Sequence, residues 1–322
     1  MTKLLNIIII VLALALVAVI LYPQIQENRP AELRFACDSS VCSLPFLIGV
    51  EESTFVQNKI IPELVFYSDP KAALAALFEG ETDVGVFPWA EVFQYKLETG
   101  QDFKAFMSED FRQSLPVDGI VVPVKSKVKR LTDLKKRKLG YPPQFRHYVS
   151  TMLANIDLTP EQVTLVEVPF SAIVEQLEAG QIDAAWLLEP LICPLDTAQF
   201  RVVQDGVLPR FVSSPFPGAA IGFSPDFLET TPKIVLSRLK MACDAAVALA
   251  ETQPERAKLI IAKYFPYCAE VCGNCRIPEL ERLVELNRPA VSALASRLNV
   301  SGALADNVAT EPFIVEPIRL AR

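Results

Sequence analysis

Three cysteines near the C-terminus, Cys268, Cys272 and Cys275, form a C-x3-C-x2-C cluster with obvious chemical potential. Three thiolates at that spacing could hold zinc or an iron–sulfur cluster if a fourth ligand arrived from elsewhere. The seven cysteines are odd in number, however, and Cys37 and Cys42 also lie close together. In an oxidising compartment the cluster reads instead as a local disulfide with a thiol left over or paired at long range, and that reading is preferred. His147 is the sole histidine. Alone it cannot form a histidine-based metal site or a two-histidine catalytic pair, and no Ser or Cys nucleophile has a base at recognisable spacing. It stands beside Arg146 at the start of an expected helix, where an anionic ligand group would be welcome. No catalytic residue, resident metal or cofactor is expected.

The elements that must position any site come from strand–helix alternation. Strands are expected at residues 33–37, 64–67, 84–87, 103–107 and 120–124, then at 138–141, 163–168 and 184–187. Helices are expected at 70–79, 89–98, 144–154 and 171–179, with Ser68 placed to cap the first. Such alternation argues for parallel sheets covered on both faces. From Pro225 the pattern turns helical, with helices expected at 232–251, 254–264 and 278–298, each opened by a proline.

One motif occurs twice. The thirteen residues from Leu77 to Trp89 align without a gap on those from Leu177 to Glu189, with Leu77/Leu177, Gly80/Gly180 and Asp83/Asp183 identical. Each copy is an amphipathic helix end, a glycine stop, an acidic strand start and a buried strand. The pair marks two equivalent α/β halves, with Asp83 and Asp183 as structural residues. In open parallel sheets ligands sit outside the carboxyl ends of the strands. The candidate ligand-binding residues are therefore Ser39, Ser40, Ser68, Phe87, Trp89, Gln144, His147, Phe170, Trp186 and Glu189, a mix of aromatic walls and a few polar groups. Trp89 and Glu189 occupy equivalent positions and are expected to face the cleft.

The 322 residues are 51% hydrophobic and 21% charged, which excludes disorder and fits about two domains. A formal charge of −7 gives no reason to expect nucleic acid. One exception is segment 125–138, with eight basic residues against Asp133. It reads as a solvated face rather than a docking patch for a partner. Residues 4–21 form an apolar run interrupted only by Asn6, long enough as a helix to cross a bilayer at about 1.5 Å per residue. Lys3 precedes it and no small-x-small cleavage site follows, so a retained transmembrane anchor with the body outside is expected.

The stretch 133–141, then Val163-Thr-Leu-Val-Glu-Val-Pro and Glu178-Ala-Gly-Gln-Ile-Asp-Ala-Ala-Trp-Leu-Leu-Glu-Pro190, resembles the nitrate/sulfonate/thiamine-precursor group of ABC-transporter substrate-binding proteins. Leu33-Arg-Phe-Ala, Leu44-Pro-Phe, residues 73–85 and Phe223-Ser-Pro-Asp-Phe-Leu-Glu extend the resemblance to about 33–264. It implies an α/β, two-lobed, periplasmic-binding-protein-like fold of type II with a C-terminal helical region. The implied division is an anchor and linker (1–30), lobe one (31–118 and 207–322) and lobe two (119–206), with crossovers near 118–123 and 206–220. The implied protein is a monomer on the periplasmic or extracellular face of the cytoplasmic membrane, closing over a small solute and passing it to an ABC permease. Tyr141-Pro-Pro-Gln-Phe-Arg-His replaces the Gly/Ser-rich turn of anion binders, and its prolines lack N–H donors. An aromatic or heterocyclic solute suits the tryptophans and Phe170 better than nitrate or sulfonate. The alternatives are an enzyme on the same fold, related to thiamine-pyrimidine precursor synthesis, or a membrane-tethered ligand sensor.

Overall fold

The computed structural model describes residues 29–320, together with Leu12. Eleven strands among these residues are, in chain order, β1 (Ala31–Cys37), β2 (Ile60–Phe66), β3 (Val84–Pro88), β4 (Lys104–Phe111), β5 (Asp118–Pro123), β6 (Lys138–Tyr141), β7 (Thr164–Glu167), β8 (Ala184–Leu188), β9 (Phe200–Asp205), β10 (Phe216–Phe223) and β11 (Glu279–Arg282). They form a six-stranded sheet in the order β11-β4-β10-β3-β1-β2 and a five-stranded sheet in the order β7-β6-β8-β5-β9. The chain leaves the larger sheet after Phe111, builds the smaller one, and returns at Phe216.

The sheets are mixed, not purely parallel. β1 pairs in parallel with β2 and β3, and β6 with β7 and β8, as alternation requires. β10 runs antiparallel to both β3 and β4, while β5 runs antiparallel to β8 and β9. These are the strands next to the two crossovers. β10 is buried at every position, so its sequence, Phe-Pro-Gly-Ala-Ala-Ile-Gly-Phe, carries no alternation to read. Gly222 is obligatory there, since a Cβ would lie 2.1 Å from the Lys104 carbonyl oxygen on β4.

The helix expected over 278–298 is divided. Its first part is β11, which covers the edge of β4, and the helix proper is Arg288–Val300. Asn287 accepts from the Ala290 N–H, and a proline occupies the first turn, which starts the helix ten residues late. The expected helix at 144–154 is likewise a 3-10 turn, Pro143–Phe145, followed by Val149–Ala154.

The duplicated motif has one physical role in both halves. Gly80 and Gly180 take φ of 75° and 68°, a region an L side chain enters only with strain. Beyond each, the aspartate ties two strands together. Asp83 Oδ2 accepts from the Arg34 N–H on β1 at 2.7 Å, and Asp183 Oδ2 accepts from the Lys138 N–H on β6 at 2.8 Å. The aspartate N–H groups return the bond, to the Arg34 carbonyl at 2.8 Å and the Lys138 carbonyl at 2.9 Å. Both residues sit at strand starts. Replacing either with alanine should lower stability by about 1.5–3 kcal/mol, the value of a hydrogen bond to a charged group, and leave ligand affinity unchanged. Urea unfolding and ligand titration of each variant check this.

Apart from Leu12, the apolar run 4–21 lies outside the described residues. Among the described residues no helix is long and apolar enough to cross a membrane. In segment 125–138, Val128, Leu131 and Leu134 are buried and most of the basic side chains are exposed.

Candidate ligand-binding site

The strand ends of the two sheets meet. The Val41 N–H, just beyond β1, donates to the Glu189 carbonyl beyond β8 at 3.1 Å. The helix Trp89–Thr99 leaves its first N–H groups without helical partners, and Ala90 N–H finds the Tyr148 hydroxyl of the opposite lobe at 3.2 Å. Arg146 reaches across to Asp69 at 3.2 Å while holding Glu167 on its own side, and His147 Nε2 lies 3.1 Å from Glu91 Oε2. Between these contacts is a narrow cavity of about 20 Å³, space for a single water. Asp38, Cys42, Phe87, Gln144, Tyr148 and Phe216 are among its lining residues. A wider groove of about 720 Å³ opens beside it, lined by Ser39, Phe66, Phe170, Tyr264 and Tyr267 among others.

The polar floor is acidic. Asp38, at the end of β1, accepts from the Ser40 N–H and from the Ser40 and Ser43 hydroxyls at 2.8–3.1 Å. Burial nevertheless pushes its carboxyl upward, with the Ser40, Ser43 and Gln144 donors opposing. Glu109 on β4 is fully buried and neither carboxylate oxygen meets an oxygen or nitrogen donor. The Cys42 thiol beside it is a weak donor, and burial raises Glu109 far above the ordinary carboxylate range. Burial also raises the Cys37 and Cys42 thiols, which removes them as nucleophiles at neutral pH.

Asp118 opens β5. Its Oδ2 accepts from Trp186 Nε1 at 2.8 Å and the Leu208 N–H at 3.0 Å, while Oδ1 has no partner. Burial pushes its pKa up to about 6 despite those donors. The folded state therefore holds the proton more tightly than the unfolded chain, and stability falls as pH rises from the ordinary carboxylate range through 6. Asp118→Asn should remove that fall and stabilise the protein by about 3 kcal/mol at pH 7. Urea midpoints for both proteins at pH 4 to 8 test the sign.

The candidates from the sequence divide sharply. Phe87 and Gln144 line the cavity, Ser39 and Phe170 line the groove, and Ser40 orients Asp38. Ser68 is exposed, and the helix Pro70–Phe78 is capped by Asp69 instead, which accepts from the Lys71 N–H. Trp89 and Trp186 line neither space. Each is fully buried, and each indole finds a buried acceptor, Ser108 Oγ for Trp89 and Asp118 for Trp186. Glu189 is buried as well, with Oε1 on Arg276 at 3.2 Å and Oε2 on the Cys193 N–H at 3.0 Å. The anion-welcoming reading of Arg146 and His147 fails because carboxylates already meet both.

The cysteine cluster is not a metal triad. Cys275 forms a disulfide with Cys193, whereas Cys37, Cys42, Cys243, Cys268 and Cys272 are free and buried. Among the described residues the only compact group of three ligating side chains is Glu189, Cys193 and Cys275, and it contains that disulfide. Tyr148, Phe145 and Phe216 line the cavity, Glu109 and Asp118 stand behind its lining residues Cys42 and Leu208, and sequence reasoning missed all five. The first two lie a few residues from Gln144, and the others carry no local signal.

Several solved structures share the fold. The alkanesulfonate-binding protein SsuA from Xanthomonas axonopodis pv. citri bound to MOPS superposes with a TM-score of 0.72 at 16% identity, over 89% of this chain and 99% of that one. The periplasmic aliphatic sulphonate binding protein SsuA from Escherichia coli gives 0.67 at 16%, over 91% and 100%. The periplasmic nitrate-binding protein NrtA from Synechocystis PCC 6803 gives 0.63 at 12%, over 85% and 81%. No curated protein sequence matches the chain. The architecture is thus the two-sheet, α/β periplasmic-binding-protein-like fold that the resemblance implied. Residues 43–257, about two thirds of the chain, match the family described as NMT1/THI5 like, and the chain belongs to that family.

Proposed function

We propose that this protein is an extracytoplasmic solute-binding protein of an ABC-type uptake system, with lobe one at 31–118 and 207–322 and lobe two at 119–206. Its lobes close over a small aromatic or heterocyclic molecule and present it, as a monomer, to a membrane permease. The observation that carries this reading is the meeting of strand ends from two sheets around one aromatic and acidic cavity. Relatives of the same fold bear names of sulfonate and nitrate binders. The Cys193–Cys275 disulfide suits an oxidising compartment. A binder is favoured over a catalyst because His147 is engaged by Glu91 and burial disarms the cavity thiol.

A thermal-shift screen of sulfonates, heterocycles, amines and carboxylates tests it. At a hundred-fold excess over Kd a true solute should raise Tm by about 5 °C or more, and small-angle scattering should then register a change in lobe closure. A screen in which no compound shifts Tm sinks the reading. The segment 4–21 serves as the tether in this proposal. Deleting residues 1–30 should move the protein from the membrane fraction to the soluble one.

A further inference from the structure

The charge of the solute can be read from the groups around the cavity. Gln144 on its wall, and two acids buried behind it, leave acceptor oxygens without donors. Gln144 lies on the cavity wall, 5% exposed, with its amide directed to Asp38 and its Oε1 unpartnered. Both oxygens of Glu109 and Oδ1 of Asp118 are also unpartnered and fully buried. No lysine or arginine among the described residues pairs with Asp38, Glu109 or Asp118. The nearby guanidiniums are taken: Arg112 by Asp110 and Glu279, Arg146 by Asp69 and Glu167, Arg276 by Glu189 and Asp205.

Burying a carboxylate without a counter-charge is strongly unfavourable, and removing the last hydrogen-bond donor makes it worse. The remaining walls are aromatic. Phe87, Phe145, Tyr148 and Phe216 line the space, and Tyr148 meets Phe216 edge-on at 5.2 Å. Ring faces attract cations and repel anions. A sulfonate or nitrate would need several N–H donors, yet Pro142 and Pro143 at the start of this wall have none.

Resting on the solute-binding reading of this same site, we propose that the ligand is an organic cation bearing N–H donors, a protonated amine or an amidinium. Its charge lies against Asp38 with Glu109 behind, an N–H donates to Gln144 Oε1, and its carbon frame packs between the rings. Such a ligand enters when the lobes part, releasing the Arg146–Asp69 and His147–Glu91 contacts and widening the single-water space between the rings to take its frame.

The test compares charge at nearly constant shape. Benzamidine and benzylamine are the cations, benzamide and benzyl alcohol the neutral partners, benzoate and benzenesulfonate the anions. Each is titrated at up to millimolar concentration into the full chain and into Asp38→Asn and Gln144→Leu, with circular dichroism confirming that both variants fold. The cations should bind at least ten-fold more tightly than their neutral partners. Asp38→Asn should weaken the best cation by about ten- to a hundred-fold, and Gln144→Leu by about ten-fold. Should one variant fail to fold, the other decides. Equal binding of neutral and cationic compounds, tighter binding of an anion, or cation affinity unchanged in the folded variants overturns this inference while leaving the solute-binding reading intact. If no compound of any charge binds, here or in the wider screen, both fall together.

Discussion

Replacing Cys193 and Cys275 together with serine is expected to destabilise the protein by about 4 kcal/mol, the loop-entropy value for a closed loop of this length. The bridge spans 82 residues, from the loop after β8 to the segment between the helix Pro254–Tyr264 and β11. It therefore joins the smaller sheet to an extension of the larger one. Arg276, adjacent to Cys275, reinforces the strap through Glu189 and Asp205 on the same lobe. Cutting the bridge frees the unfolded chain and also loosens one side of the cleft. Guanidinium unfolding with and without reductant should register the loss. In denaturant without reductant five thiols should alkylate, rising to seven after reduction. Seven thiols before reduction, or an unchanged midpoint in the double variant, would refute the strap.

Trp186→Ala should be nearly as damaging, at about 3–5 kcal/mol, the range for deleting a buried aromatic side chain. Trp186 lies on β8, the middle strand of the smaller sheet, opposite Ile120 on β5. Its ring centroid is 4.6 Å from that of Phe145, and its indole donates to Asp118. The alanine would leave a void, strip the aspartate of its only side-chain donor and slacken a ring that lines the cavity. Trp186→Phe separates these effects. It keeps most of the volume and loses only the N–H, so about 1–3 kcal/mol is expected. Denaturation midpoints for the two variants should differ accordingly. If the phenylalanine proves as damaging as the alanine, packing against Phe145 is not the larger part of the role.

The buried acids behind the cavity cost the fold stability. Asp118 and Glu109 are buried behind residues that line the cavity, where a hydrophobic pair would be more stable. Under the proposed preference for a cationic solute, such groups are kept at the expense of stability.

The duplicated helix–Gly–strand unit was legible from residues alone because every part of it is local. A helix end, a positive-φ glycine and an aspartate pairing with a neighbouring strand are encoded within about ten residues, and Gly80 and Gly180 adopt the conformations expected. The same holds for β1, β3 and β8, whose short apolar runs are local signals, with Asp38 directly after β1 and Glu189 directly after β8. β10 was illegible, since a strand buried on both faces has no period and its glycines answer to β4 rather than to their own neighbours. The tryptophans looked like cleft walls by position, and only packing showed that Ser108 and Asp118 hold them inside.

By itself, then, the sequence determined the α/β alternation and the helix–Gly–strand unit that occurs twice. Tertiary structure alone decided the site's chemistry. Asp38, Glu109 and Asp118 come from three strands of two sheets, and Cys193 meets Cys275 across 82 positions. Periodicity and turn conformation depend on near neighbours in the chain. Burial, charge pairing and hydrogen-bond satisfaction depend on residues that only the folded topology brings within reach.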